Sequence, residues 1–269
     1  MNIKNGTLSL SGSTMDYIRF GTGSRTLIIL PGLGDGLRTV KGTALPMAVM
    51  YRSFSDAYTA YGFSRRNDLP QDFSTRDMAR DVADAMTMLG ISRADVFGVS
   101  MGGMIAQHLA ADYPERVGRL VLAVTAGRPS PEIRSCIPLW VEQARQGDHT
   151  ALMDSNLRYI YSDAYYRKNR HLIPVMGKLT KPASYDRFLV MAQACMDHNA
   201  WDVLPVIAAP TLVIGGGEDR ALGSEGSREL SHRIHRAEIH LYPHGTHALY
   251  EEEGDFNRRC LDFLTAPLA

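Results

Sequence analysis

Apolar positions along the chain fall into two alternating kinds of run. Thr26-Leu27-Ile28-Ile29-Leu30 is a continuous apolar stretch ending at Pro31-Gly32, the pattern of a strand buried on both faces. Short strands are expected before it, near residues 7–11 and 14–20. Over residues 75–89 the apolar positions Met78, Val82, Ala85, Met86 and Leu89 follow i, i+4, i+7 spacing, which predicts an amphipathic helix. Ser74 and Asp77 suit a capping box at its start and Gly90 a stop at its end. A strand over 95–99, a helix over 101–112 and a strand over 119–124 come next. Strands alternating with helices imply a parallel sheet covered on both faces.

The alternation stops after Val124. Residues 127–200 read as mostly helical, with no apolar run fit for a central strand, and so as an insertion. Pro129, Pro131, Pro138, Pro174 and Pro182 are expected to break it into short helices. The alternating pattern resumes with a strand over 211–215, a helix over about 224–235, a strand over 238–242 and a closing helix near 253–264.

Composition narrows the function classes. Lysine plus arginine equals aspartate plus glutamate at 29 each, so the summed charge offers no general attraction to nucleic acid or to an anionic membrane. Small-molecule partners fit best. The first residues lack the apolar centre of a secretory signal and no stretch approaches a membrane span, so a cytoplasmic protein is expected. Cys136, Cys195 and Cys260 are far apart, without zinc spacing, and read as small buried hydrophobes. His232 and His235, three apart on a helix, suggest no third metal ligand.

Candidate chemistry begins at Gly98-Val99-Ser100-Met101-Gly102, set between an expected strand and an expected helix. That is the context of a nucleophile elbow, where glycines relieve the crowding of a tight turn and Ser100 is the nucleophile. A serine hydroxyl needs a base within hydrogen-bond reach, and imidazole has a suitable pKa. Of nine histidines, His244 and His247 lie in the loop after the last strand, at the carboxyl end of the sheet where functional loops gather. The base needs an acceptor on its other nitrogen. Glu218 and Asp219 follow the next-to-last strand and Asp219 is preferred, giving the chain order serine, acid, histidine. The backbone N–H of Met101, at the start of a helix, suits an oxyanion donor, and Leu33 in the turn Pro31-Gly32-Leu33-Gly34 suits the second.

Together these residues resemble the α/β-hydrolase superfamily, in particular its capped serine esterases and related hydrolases, over nearly the whole chain. Pro31-Gly32-Leu33-Gly34 is similar to the family's oxyanion turn, with Pro31 in place of the common histidine. Asp219 matches its acid, and His247 followed by Glu252 resembles its closing motif, with Thr246 in place of a glycine. Tyr61-Gly62-Phe63-Ser64 only loosely resembles another family segment. The resemblance implies an α/β-hydrolase core over 1–126 and 201–269, with a helical cap over 127–200 inserted after strand six. It favours His247 over His244 as the base.

The expected function is a carboxylesterase for small or medium esters, working through an acyl-Ser100 intermediate without cofactor or metal. The aromatic residues of the cap, Trp140, Tyr159 and Phe188 among them, and its methionines, for instance Met153, Met176 and Met191, are candidates to line an apolar pocket. An aminopeptidase, lactonase, thioesterase or carbon–carbon bond hydrolase fits the same triad. An aminopeptidase would draw on Glu132, Glu142, Asp154 or Asp163 to hold an amine. A ligand receptor without turnover is the alternative from another class.

Overall fold

A computed structural model describes residues 3–267. Eight strands form one sheet: β1 (Lys4–Leu10), β2 (Ser13–Gly21), β3 (Arg25–Leu30), β4 (Tyr58–Arg66), β5 (Ala94–Val99), β6 (Val117–Ala123), β7 (Thr211–Gly216) and β8 (Ala237–Tyr242). Their spatial order is β1-β2-β4-β3-β5-β6-β7-β8. The pairs β1/β2 and β2/β4 are antiparallel, and every pairing from β4 through β8 is parallel. This is the α/β-hydrolase fold expected from the sequence.

The continuous apolar run of β3 divides between two cores. Ile28 and Leu30 face one layer and Leu27 and Ile29 the other, all buried, because successive side chains point to opposite sides of a strand. The first layer contains α2 (Thr75–Met88) and α3 (Met101–Asp112); the second contains α1 (Ala44–Met50) and α11 (Phe256–Thr265). Two shorter helices, α9 (Glu225–Arg233) and α10 (Leu249–Glu252), flank β8. The capping box forms at α2: Ser74 Oγ accepts from Asp77 N, and the Asp77 carboxylate accepts from Ser74 N.

Two elements were not legible in the pattern. Tyr58–Arg66 is strand β4, although Gly62, Ser64 and Arg65 interrupt its apolar run. Ser64 and Arg65 are buried with polar partners, so a central strand carries polar side chains where hydrophobic ones were sought. Helix α1 is short and contains Pro46.

Between β6 and β7 lie five α-helices: α4 (Pro131–Arg145), α5 (His149–Ile160), α6 (Asp163–Asn169), α7 (Ile173–Leu179) and α8 (Asp186–Met196). Pro131 and Pro174 stand at helix starts, where the missing N–H is not needed. Pro138 does not break the chain as expected; it sits inside α4 on the exposed side. There the carbonyl it leaves unpaired can turn to water. The closing helix expected near 253–264 is α11, which starts at Phe256, and the short α10 precedes it.

Candidate active site

Ser100 stands at the end of β5 and the start of α3, with φ 55° and ψ −122°. That left-handed φ is costly for a residue with a Cβ and persists only where the surroundings enforce it. The enforcement is visible. Ser100 N donates to Ala123 O of β6 at 2.9 Å, and Gly103 N donates back to Ser100 O at 2.9 Å. The flanking glycines are required by contact: a Cβ on Gly98 would lie 2.6 Å from Gly102 O, and one on Gly102 would strike Leu30 O.

Asp219 follows β7 and His247 follows β8, both at the carboxyl edge of the sheet that carries Ser100. His247 Nδ1 and Asp219 Oδ2 are 2.8 Å apart, with side chains 6% and 1% exposed. Asp219 Oδ1 accepts from the backbone N–H groups of Ala221 and Leu222, each at 2.9 Å. The carboxylate is thereby fixed in rotation. With Nδ1 engaged, Nε2 is the imidazole nitrogen left for a proton from elsewhere. His244, the other candidate base, is 89% exposed and pairs with Glu218 at 2.9 Å on the surface.

Ser100 and His247 line one cavity of about 280 Å³, together with Leu33, Trp140, Phe188 and Leu222. Leu33 opens the 3₁₀ turn Leu33–Gly36 beside Ser100, while Met101 is buried at the first turn of α3. A Cβ on Gly32 would lie 3.3 Å from Ser100 Cβ, so this turn approaches Ser100 closely.

The turn is anchored by residues that the sequence reading did not single out. Asp35 is buried, and its Oδ1 accepts from Ser64 Oγ at 2.6 Å. Its Oδ2 accepts from Arg65 N at 2.9 Å and from Arg187 Nη2 of α8 at 3.0 Å. Arg187 Nη1 also donates to Asp35 O at 2.7 Å. The buried Arg65 guanidinium donates to Pro31 O and Phe63 O. Helix α8 is thus tied by charge to the turn facing Ser100. The one available signal was Ser64-Arg65 at the end of a poor apolar run.

The cavity wall is chiefly apolar, and the insertion gives it aromatic side chains but not the expected methionines. Trp140 and Phe188 line it, but Met153, Met176, Met191 and Tyr159 do not. Met191 is fully buried, Tyr159 packs edge-on against Trp140 at 6.0 Å, Met176 is exposed and Met153 lines a neighbouring groove. Glu132, Glu142, Asp154 and Asp163 are also absent from the wall. Asp154 and Asp163 instead pair with Arg158 and Arg220. Cys136 and Cys195 do line it. Burial first, then the Asp219 charge, pushes the Cys136 thiol up to about 12, and burial pushes Cys195 up to about 12. Both remain protonated near neutral pH and are poor nucleophiles. Among the described residues no cluster of three or more metal-ligating side chains occurs.

The remaining histidines are dispersed. His108 and His198 are buried, with rings 5.3 Å apart, and His149 is buried beside Thr180. His171, His232 and His235 are exposed.

Residues 54–254 match the family model described as the alpha/beta hydrolase fold. The chain is 27% identical over 269 residues to mouse Serine hydrolase BPHL, covering 96% of this chain and 85% of that one. It is 31% identical to a 2-hydroxy-6-oxo-6-phenylhexa-2,4-dienoate hydrolase of Comamonas testosteroni, over 69% of this chain and 68% of the relative. In backbone it superposes on an enol-lactonase from Burkholderia xenovorans LB400 with a TM-score of 0.82 at 23% identity, covering 97% of this chain and all of that one. The eight-stranded sheet, the strained serine turn and these matches together make the chain a member of the α/β-hydrolase fold family and a hydrolase.

Proposed function

We propose that this hydrolase cleaves uncharged carboxylic esters of small or medium size through an acyl-serine intermediate. The observation that carries the reading is the strained Ser100 facing the same cavity as His247, whose Nδ1 is held by the buried Asp219. His247 Nε2 takes the Ser100 proton as Oγ attacks the ester carbonyl carbon. The carbonyl oxygen becomes an oxyanion held by the backbone N–H groups of Leu33 and Met101, the second aided by the α3 dipole. Collapse of this intermediate breaks the bond to the alcohol oxygen, which leaves with the proton from His247. Water, deprotonated by the same imidazole, then attacks the acyl-Ser100 carbonyl; the acid departs and Ser100 recovers its proton. Every proton is carried by His247, so the cycle needs no cofactor.

Helices α4 to α8 act in this reading as a cap over the core, supplying Ile133, Ile137, Trp140 and Phe188 to the cavity wall. A wall of that kind favours an apolar acyl group through burial. About 280 Å³ sets a modest size. The three unpaired thiols suit a reducing, cytoplasmic setting.

Carbon–carbon bond cleavage is the second reading, favoured by the 31% identity to the dienoate hydrolase. Such a substrate carries a carboxylate, whereas no lysine or arginine is among the cavity-lining residues. An ester is therefore the better electrostatic match. Labelling with a fluorophosphonate and mapping the modified peptide tests the nucleophile, with the adduct expected on Ser100. Short and long nitrophenyl esters test the substrate. Release no faster than by Ser100→Ala removes the esterase reading, and faster turnover of the phenylhexadienoate than of any ester installs the alternative.

A further inference from the structure

Helix α7 presents an apolar face to solvent. Ile173 and Gly177 are buried, and a Cβ on Gly177 would come within 3.0 Å of Thr150 Cα, so this side packs closely against α5. The opposite side carries Val175, Met176 and Leu179, continued by Leu172 at the end of the 3₁₀ turn just before the helix; Leu172, Val175, Met176 and Leu179 are 47%, 60%, 40% and 75% exposed. Their spacing of i, i+3, i+4 and i+7 makes one continuous stripe on a helix. A helix usually turns such a stripe inward; an outward one marks a contact with something else.

The surrounding charge identifies the partner. Between Arg167 and Lys181 the chain holds Arg167, Lys168, Arg170, Lys178 and Lys181, and no aspartate or glutamate. All five are exposed. None takes part in an ion pair among the described residues. The whole chain is neutral, so these charges are a local concentration. A second copy would bring the same uncompensated cations against them. An anionic lipid surface offers phosphate and carboxylate to the cations and hydrocarbon to the stripe, side by side.

We propose that α7 and the cations flanking it dock the helical insertion onto an anionic lipid surface. The face lies beside a groove that adjoins the site. Thr180, at the end of α7, lines a groove of about 260 Å³ with Leu152 and Met153, and that groove shares Leu37 and Asn156 with the cavity holding Ser100. Docking there brings an apolar substrate from the bilayer to the groove. The lipid contact does not depend on the proposed chemistry, because binding requires no turnover.

The test is co-sedimentation of the full chain with vesicles of phosphatidylcholine alone or with about 30% phosphatidylserine, run in parallel on wild type and Ser100→Ala. At low ionic strength both proteins bind the anionic vesicles at least about 10-fold more strongly than the neutral ones, and about 0.5 M salt abolishes the difference. Arg170→Glu with Lys178→Glu, and separately Val175→Asp with Leu179→Asp, each weaken binding about 10-fold or more. Arg93→Glu with Arg236→Glu, which makes the same charge change at the amino ends of β5 and β8, leaves it unchanged. Circular dichroism and thermal unfolding verify that each variant is folded. No preference for anionic vesicles, or equal loss in the control variant, overturns the proposal. So does a dimer in light scattering that Val175→Asp with Leu179→Asp dissociates, since a second copy would then cover the stripe.

Discussion

The two carboxylate oxygens of Asp219 face different partners: Oδ1 accepts from two backbone N–H groups and Oδ2 meets His247 Nδ1. In Asp219→Asn the amide oxygen stays with the backbone donors, because an NH₂ group placed there would confront two N–H groups. The NH₂ is then turned to His247 Nδ1 and makes that nitrogen an acceptor. The proton moves to Nε2, the position that the proposed mechanism needs empty to accept one from Ser100. We expect kcat on a nitrophenyl ester to fall about 10³- to 10⁴-fold in this variant, with the melting temperature changed by only a few degrees. An activity within about 10-fold of wild type would show that Asp219 does not set the tautomer. Residue types at this scale were legible because the chemistry demands them. Position alone did not separate His244 from His247, since both lie in one loop after one strand; the family resemblance favoured His247, and the two differ in burial, 89% against 6% exposed.

The weakest inference from sequence at the level of elements concerned β4, and the reason bears on catalysis. A central strand is recognised by its apolar run, but near its end β4 carries Ser64 and Arg65, buried against Asp35. Polar side chains are tolerated there because the partner arrives from a distant turn that local pattern does not reveal. Arg187 of α8 completes the cluster, so the position of the turn facing Ser100 depends on a helix far away in sequence. Arg187→Met keeps much of the side-chain bulk and removes the charge. Breaking a buried pair costs about 3–5 kcal/mol when both partners are buried; Arg187 is 17% exposed and Asp35 1%, so we expect about 2–4 kcal/mol in urea unfolding. A shift of the turn facing Ser100 is expected to lower kcat about 10- to 100-fold. Stability lost with kcat intact would mean that Ser64 and Arg65 hold the turn unaided. The insertion shows the same limit from the other side: its helices were legible, but which of its aromatic and methionine side chains reach the cavity is set by packing, and Trp140 and Phe188 do so while Tyr159 and the three methionines do not.

Across the molecule, the alternation of strands and helices announced the sheet, but the polar contacts joining the insertion to the helices of the core did not show in any pattern. The buried imidazole of His198 makes such a contact, 2.9 Å from Thr75 Oγ1 at the start of α2 and 3.4 Å from Gln107 Oε1 of α3. Its ring meets His108 of α3 edge-on. Burial, followed by repulsion from His108, pulls the His198 pKa down to about 3, and burial lowers His108 and His149 as well. The folded protein therefore holds these groups neutral under conditions where the unfolded chain, with a histidine pKa near 6.5, binds protons. Stability is complete above about pH 6.5 and falls with pH below it, because the unfolded state gains the protons. At pH 5, about 1.5 units below the unfolded value and still above the folded one, His198 alone removes about 2 kcal/mol. His108 and His149 act in the same direction. His198→Gln keeps a donor and an acceptor without a titrating ring. We expect it to be less stable than wild type at pH 7 through imperfect packing, yet to lose about 2 kcal/mol less between pH 7 and pH 5 in urea unfolding. Equal losses in the two proteins would mean that His198 takes up its proton within the fold, and that the acid sensitivity of the structure originates elsewhere.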